Sequence, residues 1–309
     1  MHIHISALLF LACVTSSHAL TSKVDSLAAH VLEHTLATHY TQAEREADTL
    51  WKLDHDRGAF FKTMVRLSRF DDLGDTMDLL QSKVFLDTVH VENPFWKSLQ
   101  LFQLGFVQAE LHSNVTAALN TRKANKGFAA FNSLDARAFQ SIYGFYMDQA
   151  TAWIPFTQDH RGNFLLTLDS AAQSQSLFWP LFATSLGWMH FDRKEFSAGL
   201  SVAEHALQRS PHHPIFLQMK ADMLFRLGRN AEAAQLYEQS AADYTQRSPN
   251  SVRWWSAVGN LVRIYASLGD STRTHLWQAH FAEPRFKQVQ PWMPASLMES
   301  LQKSGRIHQ

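Results

Sequence analysis

Two stretches decide the fold: ATSLGWMHFDRKEFSAGLSVAEHALQRSP at residues 183–211 and LQMKADMLFRLGRNAEAAQLYEQSA at residues 217–241. Offset by 34 residues, their small and large positions coincide. Gly187 falls on Ala221, Phe191 on Phe225, Gly199 on Ala233 and Ala203 on Tyr237. A unit of that length holds two helices joined by a turn. Small residues let the helices of one hairpin approach closely, and large ones fill the gap between hairpins.

The rest of the chain reads the same way. Apolar residues recur at three- and four-residue steps, as in Phe60, Met64, Val65 and Leu67, and strand-like alternation is hard to find. Asn93-Pro94 and Pro249-Asn250-Ser251 are helix starts. Gly58, Gly74, Gly162, Gly228 and Gly269 are expected at helix ends. Segments 95–112 and 135–153 suit the first helices of diverged pairs, and the tail from Pro291 suits one last capping helix. The stretch from Asn120 to Ser133 is polar and contains a glycine, so a soft boundary is expected there.

The repeat resembles the tetratricopeptide repeat (TPR) over roughly residues 175–282. Leu186-Gly187, Gly199, Ala206-Leu207 and Pro211 match that family's pattern in the first copy, and Gly228, Ala233, Tyr237 and Ala241 in the second. His190 stands for the usual tyrosine, Lys194 for the turn glycine and Ser240 for an alanine. A third unit at 251–281 keeps Leu261, Tyr265 and Gly269, carries Thr274 at a small position, and is displaced by a lengthened helix from Ala241 to Arg247. The resemblance implies an all-α fold of stacked helix-turn-helix hairpins, a TPR-like α-solenoid. It divides the chain into an N-terminal helical region at 20–132 and repeats with a capping helix at 133–309.

The resemblance also implies a concave groove for a protein or peptide partner, lined by outward positions of the first helices. On this sequence those are Thr184, Trp188, Gln218, Asp222, Asn260 and Arg263. The basic and asparagine residues that clamp a C-terminal carboxylate in some family members have no counterpart at Thr184 and Trp188. Trp188 beside Gln218 and Arg263 suits a peptide held by stacking and side-chain amides. A non-enzymatic scaffold or adaptor is therefore expected, with a glycan-binding accessory to polysaccharide export as an alternative.

Lys+Arg and Asp+Glu balance at 28 each, and no basic run appears, so nothing draws the chain to nucleic acid or anionic lipid. The N-terminus MHIHISALLFLACVTSSHA has an apolar core, then Ser17 and Ala19 at the positions signal peptidase requires. Residues 1–19 are thus expected to be a secretory signal. The single cysteine, Cys13, lies inside it, leaving a mature chain without disulfides and pointing to a bacterial periplasm. A lipoprotein anchored at Cys13 is the variant reading. Asn114-Val115-Thr116 is a sequon that would matter only in a eukaryotic host.

One motif carries the other alternative, a zinc-dependent peptidase. HVLEH at 30–34 matches the inverted zinc-peptidase pattern, with His30 and His34 as metal ligands, Glu33 as base and Glu110 as third ligand. Against it, that family has an α/β fold with strands ahead of the motif helix, and Glu33 points away from the apolar stripe formed by Val24, Leu27, Ala28, Val31 and Leu32. Asp54-His55-Asp56 and His190-Phe191-Asp192 read as helix-end features, and His212-His213 as an inter-repeat turn. There is no nucleophile elbow, phosphate loop or dinucleotide fingerprint, so no cofactor is expected.

Overall fold

The computed structural model describes residues 23–153, 158–247 and 250–307. The expected signal, with Cys13, lies outside them. The described residues are helical throughout and contain no strand. After α1 (23–36) come α2 (Tyr40–Leu53), α3 (His55–Leu73), α4 (Thr76–Thr88), α5 (Pro94–Glu110) and α6 (Asn114–Phe128). Then follow α7 (Leu134–Thr151), α8 (Arg161–Gln173), α9 (Trp179–Asp192), α10 (Phe196–Arg209), α11 (Pro214–Arg226) and α12 (Asn230–Arg247). Next are α13 (Val252–Ser267) and α14 (Ser271–Gln278), then the short α15 (Phe286–Val289) and α16 (Ala295–Lys303), with 3-10 turns at Ala279–Ala282 and Gln290–Trp292. No described helix is long and apolar enough to cross a membrane.

Helices from α2 to α14 pack on their sequence neighbours, and α9 also reaches α11, so these two first helices lie side by side. The expected first helices at 95–112 and 135–153 are α5 and α7. The lengthened helix through Arg247 is the end of α12. The 120–133 stretch is not soft along most of its length: it is helical to Phe128, and only 129–133 lie between helices. Phe128 stacks on Phe139 across that connection at 5.3 Å, and one apolar core runs from Val24 to Phe216. A second core runs from Leu200 to Ile307.

Side chains close the helix starts. Asn93 accepts from the N–H groups of Phe95 and Trp96 ahead of Pro94, and Ser251 from those of Arg253 and Trp254. Asp54 caps α3 through the N–H of Arg57. Among the glycines, Gly74, Gly228 and Gly269 end helices with φ of 69°, 76° and 74°. Gly58 does not end a helix. It sits in the first turn of α3, where a Cβ would strike the Trp51 backbone. Gly162 likewise lies in the first turn of α8. Lys194, at the place of the turn glycine, keeps the glycine conformation at φ 61°.

Gly187 and Gly199 face each other across the α9–α10 hairpin, and α11 lays Met219 over one and Met223 over the other. A Cβ on either glycine would strike the methionine above it. Two methionines of the next hairpin thus occupy the gap that the paired glycines leave.

The stack also curls far enough for its ends to meet. Asp72, fully buried in α3, accepts hydrogen bonds from Tyr40 Oη (3.1 Å) and from Ser251 Oγ at the start of α13. Arg253 Nε lies 3.6 Å from the same carboxylate. Trp292 packs edge-on against Phe70 and covers Gly74. The tail forms the expected last helix, but α16 does not extend the stack past α14. It lies on α13, with Leu297 against Gly259.

Candidate functional site

The first helices α9, α11 and α13 surround a cavity of about 190 Å³. Five of the six residues carried over from the repeat pattern line it: Trp188, Gln218, Asp222, Asn260 and Arg263. Thr184, one turn before Trp188, is not among the lining residues. Its hydroxyl donates to the Pro180 carbonyl at 2.8 Å. Two of its aromatic walls are Phe191 and Phe225.

A polar network holds the floor. Tyr237, buried in α12, donates its hydroxyl to Asp222. The Asn260 amide donates to Tyr237 Oη (3.1 Å) and Asp222 Oδ1 (3.5 Å), and Arg263 Nη1 donates to Asn260 Oδ1 (3.2 Å). Burial pushes the Asp222 carboxyl up to about 6, against the pull of the Tyr237 hydrogen bond and of the Arg226 and Arg263 charges. Burial beside Asp222 raises the Tyr237 phenol well above its ordinary value.

Sequence reasoning missed two parts of this site. Arg226, in the last turn of α11, also lines it. The opposite wall comes from Pro294, Ser296 and Leu297, brought in by the fold-back of α16. The arginine had one legible signal, its place beside Phe225 in the second repeat. The wall had none, because it depends on a long-range turn of the tail.

A larger trough of about 600 Å³ lies between α5, α6 and α7, walled by Phe102, Phe106, Ile142, Tyr146 and Met147. It carries no side-chain amide to fix an extended backbone.

The zinc-peptidase constellation does not assemble. No group of three or more His, Cys, Asp or Glu among the described residues is placed to hold a metal ion, so Glu110 does not join His30 and His34. His30, Glu33 and Glu110 are exposed. His34 Nδ1 instead meets Glu46 Oε2 of α2 at 2.7 Å, a helix-to-helix contact. The HVLEH spacing follows from the apolar stripe of α1, whose Val24, Ala28, Val31 and Leu32 are buried. Asp54 is a helix cap, and His190 bonds Glu195 across the α9–α10 turn at 2.8 Å.

No family model matches the chain, and no curated protein matches it in sequence. Solved structures do match in fold. A Rap protein complexed with competence and sporulation factor is similar at 12% identity, over 90% of this chain and 80% of that one, with a TM-score of 0.55. A tetratricopeptide repeat protein from Parabacteroides merdae aligns at 13% identity over 91% and 98% of the two chains, with a TM-score of 0.44. The human IFIT1 dimer with m7Gppp-AAAA aligns at 15% identity over 92% and 70%, with a TM-score of 0.49. The repeat spacing, the hairpin order and the first of these similarities agree: the chain is a TPR-like α-solenoid.

Proposed function

We propose that this chain is a non-enzymatic adaptor that binds an extended segment of a protein partner in the groove between α9, α11 and α13. One observation carries the reading. Three successive first helices bring an indole, two side-chain amides, a carboxylate and two guanidiniums to one cavity. An indole anchors an apolar side chain, and amides bond a peptide backbone whatever its sequence. The solved Rap structure is a complex with competence and sporulation factor, and that likeness supports the fold alone.

We also propose export to a bacterial envelope, from residues 1–19 and from a mature chain that would hold no cysteine. Sequencing the N-terminus of protein recovered from the envelope fraction tests this. A start at Leu20 supports it, and an intact Met1 overturns it.

Site-specific photocrosslinking in cells tests the groove. A photoreactive residue at Gln218 should capture one discrete envelope protein, lost when Trp188→Ala and Arg263→Ala are added. The same residue at Leu166, exposed on α8, should capture none. Equal capture from both positions would sink the reading.

A further inference from the structure

Two cations at the groove make no ion pair among the described residues. Arg226 and Arg263 have no carboxylate within ion-pair distance among the described residues, whereas Arg57, Arg69 and Arg229 each close on one. Each is instead seated on an aromatic ring. The Arg226 guanidinium lies 5.0 Å from the centre of Phe191, and that of Arg263 lies 4.9 Å from the centre of Phe225. Phe191 and Phe225 occupy equivalent positions one repeat apart, so the two contacts form successive rungs of one ladder.

The ladder holds the charges in place without using up their hydrogen-bonding capacity. A guanidinium has five N–H donors. Arg263 gives one to Asn260 Oδ1, and stacking on a ring face uses none. The one carboxylate lining the cavity, Asp222, already accepts from Tyr237 and Asn260. Two cations against one anion leave the groove with an excess of one positive charge, in a chain whose formal net charge is zero. A planar fork of N–H donors fits a planar carboxylate, with two parallel hydrogen bonds.

We propose that Arg226 and Arg263 form a recognition pair for one carboxylate of the bound peptide, with an adjoining apolar side chain seated on Trp188. This deepens the peptide-binding reading and rests on it. The carboxylate has two possible sources, an internal aspartate or glutamate and the peptide's own C-terminus. A single charge matches the excess of the groove.

The test uses the purified chain and an array of synthetic nine-residue peptides with varied apolar flanks and a central Glu or Gln. Each is made with an amidated and with a free C-terminus, and binding is read by fluorescence anisotropy. The Glu-centred amidated peptides should bind at least tenfold more tightly than their Gln-centred partners. Arg226→Gln with Arg263→Gln should cut that preference below threefold, with the melting temperature held within a few degrees. If the free C-terminus is the source, the tenfold gain instead follows the free acid and is lost in the same double variant. Equal binding of charged and neutral peptides overturns the pair and leaves the groove reading standing, as does a preference that survives the double variant. Binding of no peptide overturns both.

Discussion

Asp222 is the residue on which the groove's electrostatics turn. Its carboxyl, raised to about 6 by burial, binds a proton in the folded chain over a range where the unfolded chain has already lost it. A raised acid of this kind gives stability that is full below the unfolded value near 4 and is lost as pH rises to about 6. Asp222→Asn should therefore flatten the fall in chemical-denaturation midpoint between pH 4 and pH 6, measured against wild type. Ligand binding follows the same proton. Above pH 6 the ionised Asp222 offsets part of the charge of Arg226 and Arg263; at pH 5 it is mostly neutral. Affinity for a glutamate-centred peptide should thus rise severalfold from pH 7 to pH 5, and the rise should vanish in Asp222→Asn. A second residue tests the repeat's own chemistry. Lys194 holds φ at 61° in the turn between α9 and α10, a conformation that costs a side chain with a Cβ about 1–2 kcal/mol. Lys194→Gly recovers part of this, after the extra freedom of glycine in the unfolded chain, so a gain of about 1 kcal/mol is expected in urea unfolding.

At the scale of elements, helices and hairpin order were legible because both are periodic. Pro94 marks the start of α5, and the 34-residue register places Gly187 and Gly199 where helices must approach. Their tight packing predicts a coupling. Gly187→Leu should cost about 3 kcal/mol by driving a side chain into Met219, and Met219→Ala should cost about as much by opening a cavity. The double variant should cost at least 1 kcal/mol less than the sum, because each change makes room for the other. Strict additivity in denaturation experiments would show that α11 does not close on Gly187. What was not legible has no period. Arg226 carried a signal only through its neighbour, and its partner Phe191 lies in the previous repeat. The α1 motif, already outweighed in the sequence, has a periodic origin: a helix that buries every third or fourth residue spaces its remaining histidines at metal-ligand intervals. Gly58 misled because glycine serves close approach as well as turns, and here it lets α3 start against Trp51.

At the scale of the molecule, the groove is bounded because the stack returns on itself. Ser251 and Arg253 at the start of α13 meet Asp72 from α3, and no sequence pattern announces a contact between residues so far apart in the chain. Burial raises the Asp72 carboxyl, against the pull of Arg253, Ser251 and Tyr40, so this contact is held by donors packed around one buried acid. Removing it leaves an arginine and a phenol facing a void. Asp72→Ala should cost about 3–5 kcal/mol, the usual result of breaking a buried ion pair from one side. Asp72→Asn keeps an acceptor for Ser251 and Tyr40 and should cost less. The consequence reaches beyond stability. Trp292 bridges to Phe70 beside this contact, and the same tail segment supplies Pro294 and Leu297 to the groove wall. Opening the closure should therefore loosen that wall. In solution scattering, Asp72→Ala should show a larger radius of gyration than wild type, and its affinity for groove peptides should fall together with the expansion. An unchanged radius with full peptide affinity would mean that α13 and the tail hold the groove alone, and that the meeting of the two ends only stabilises the fold.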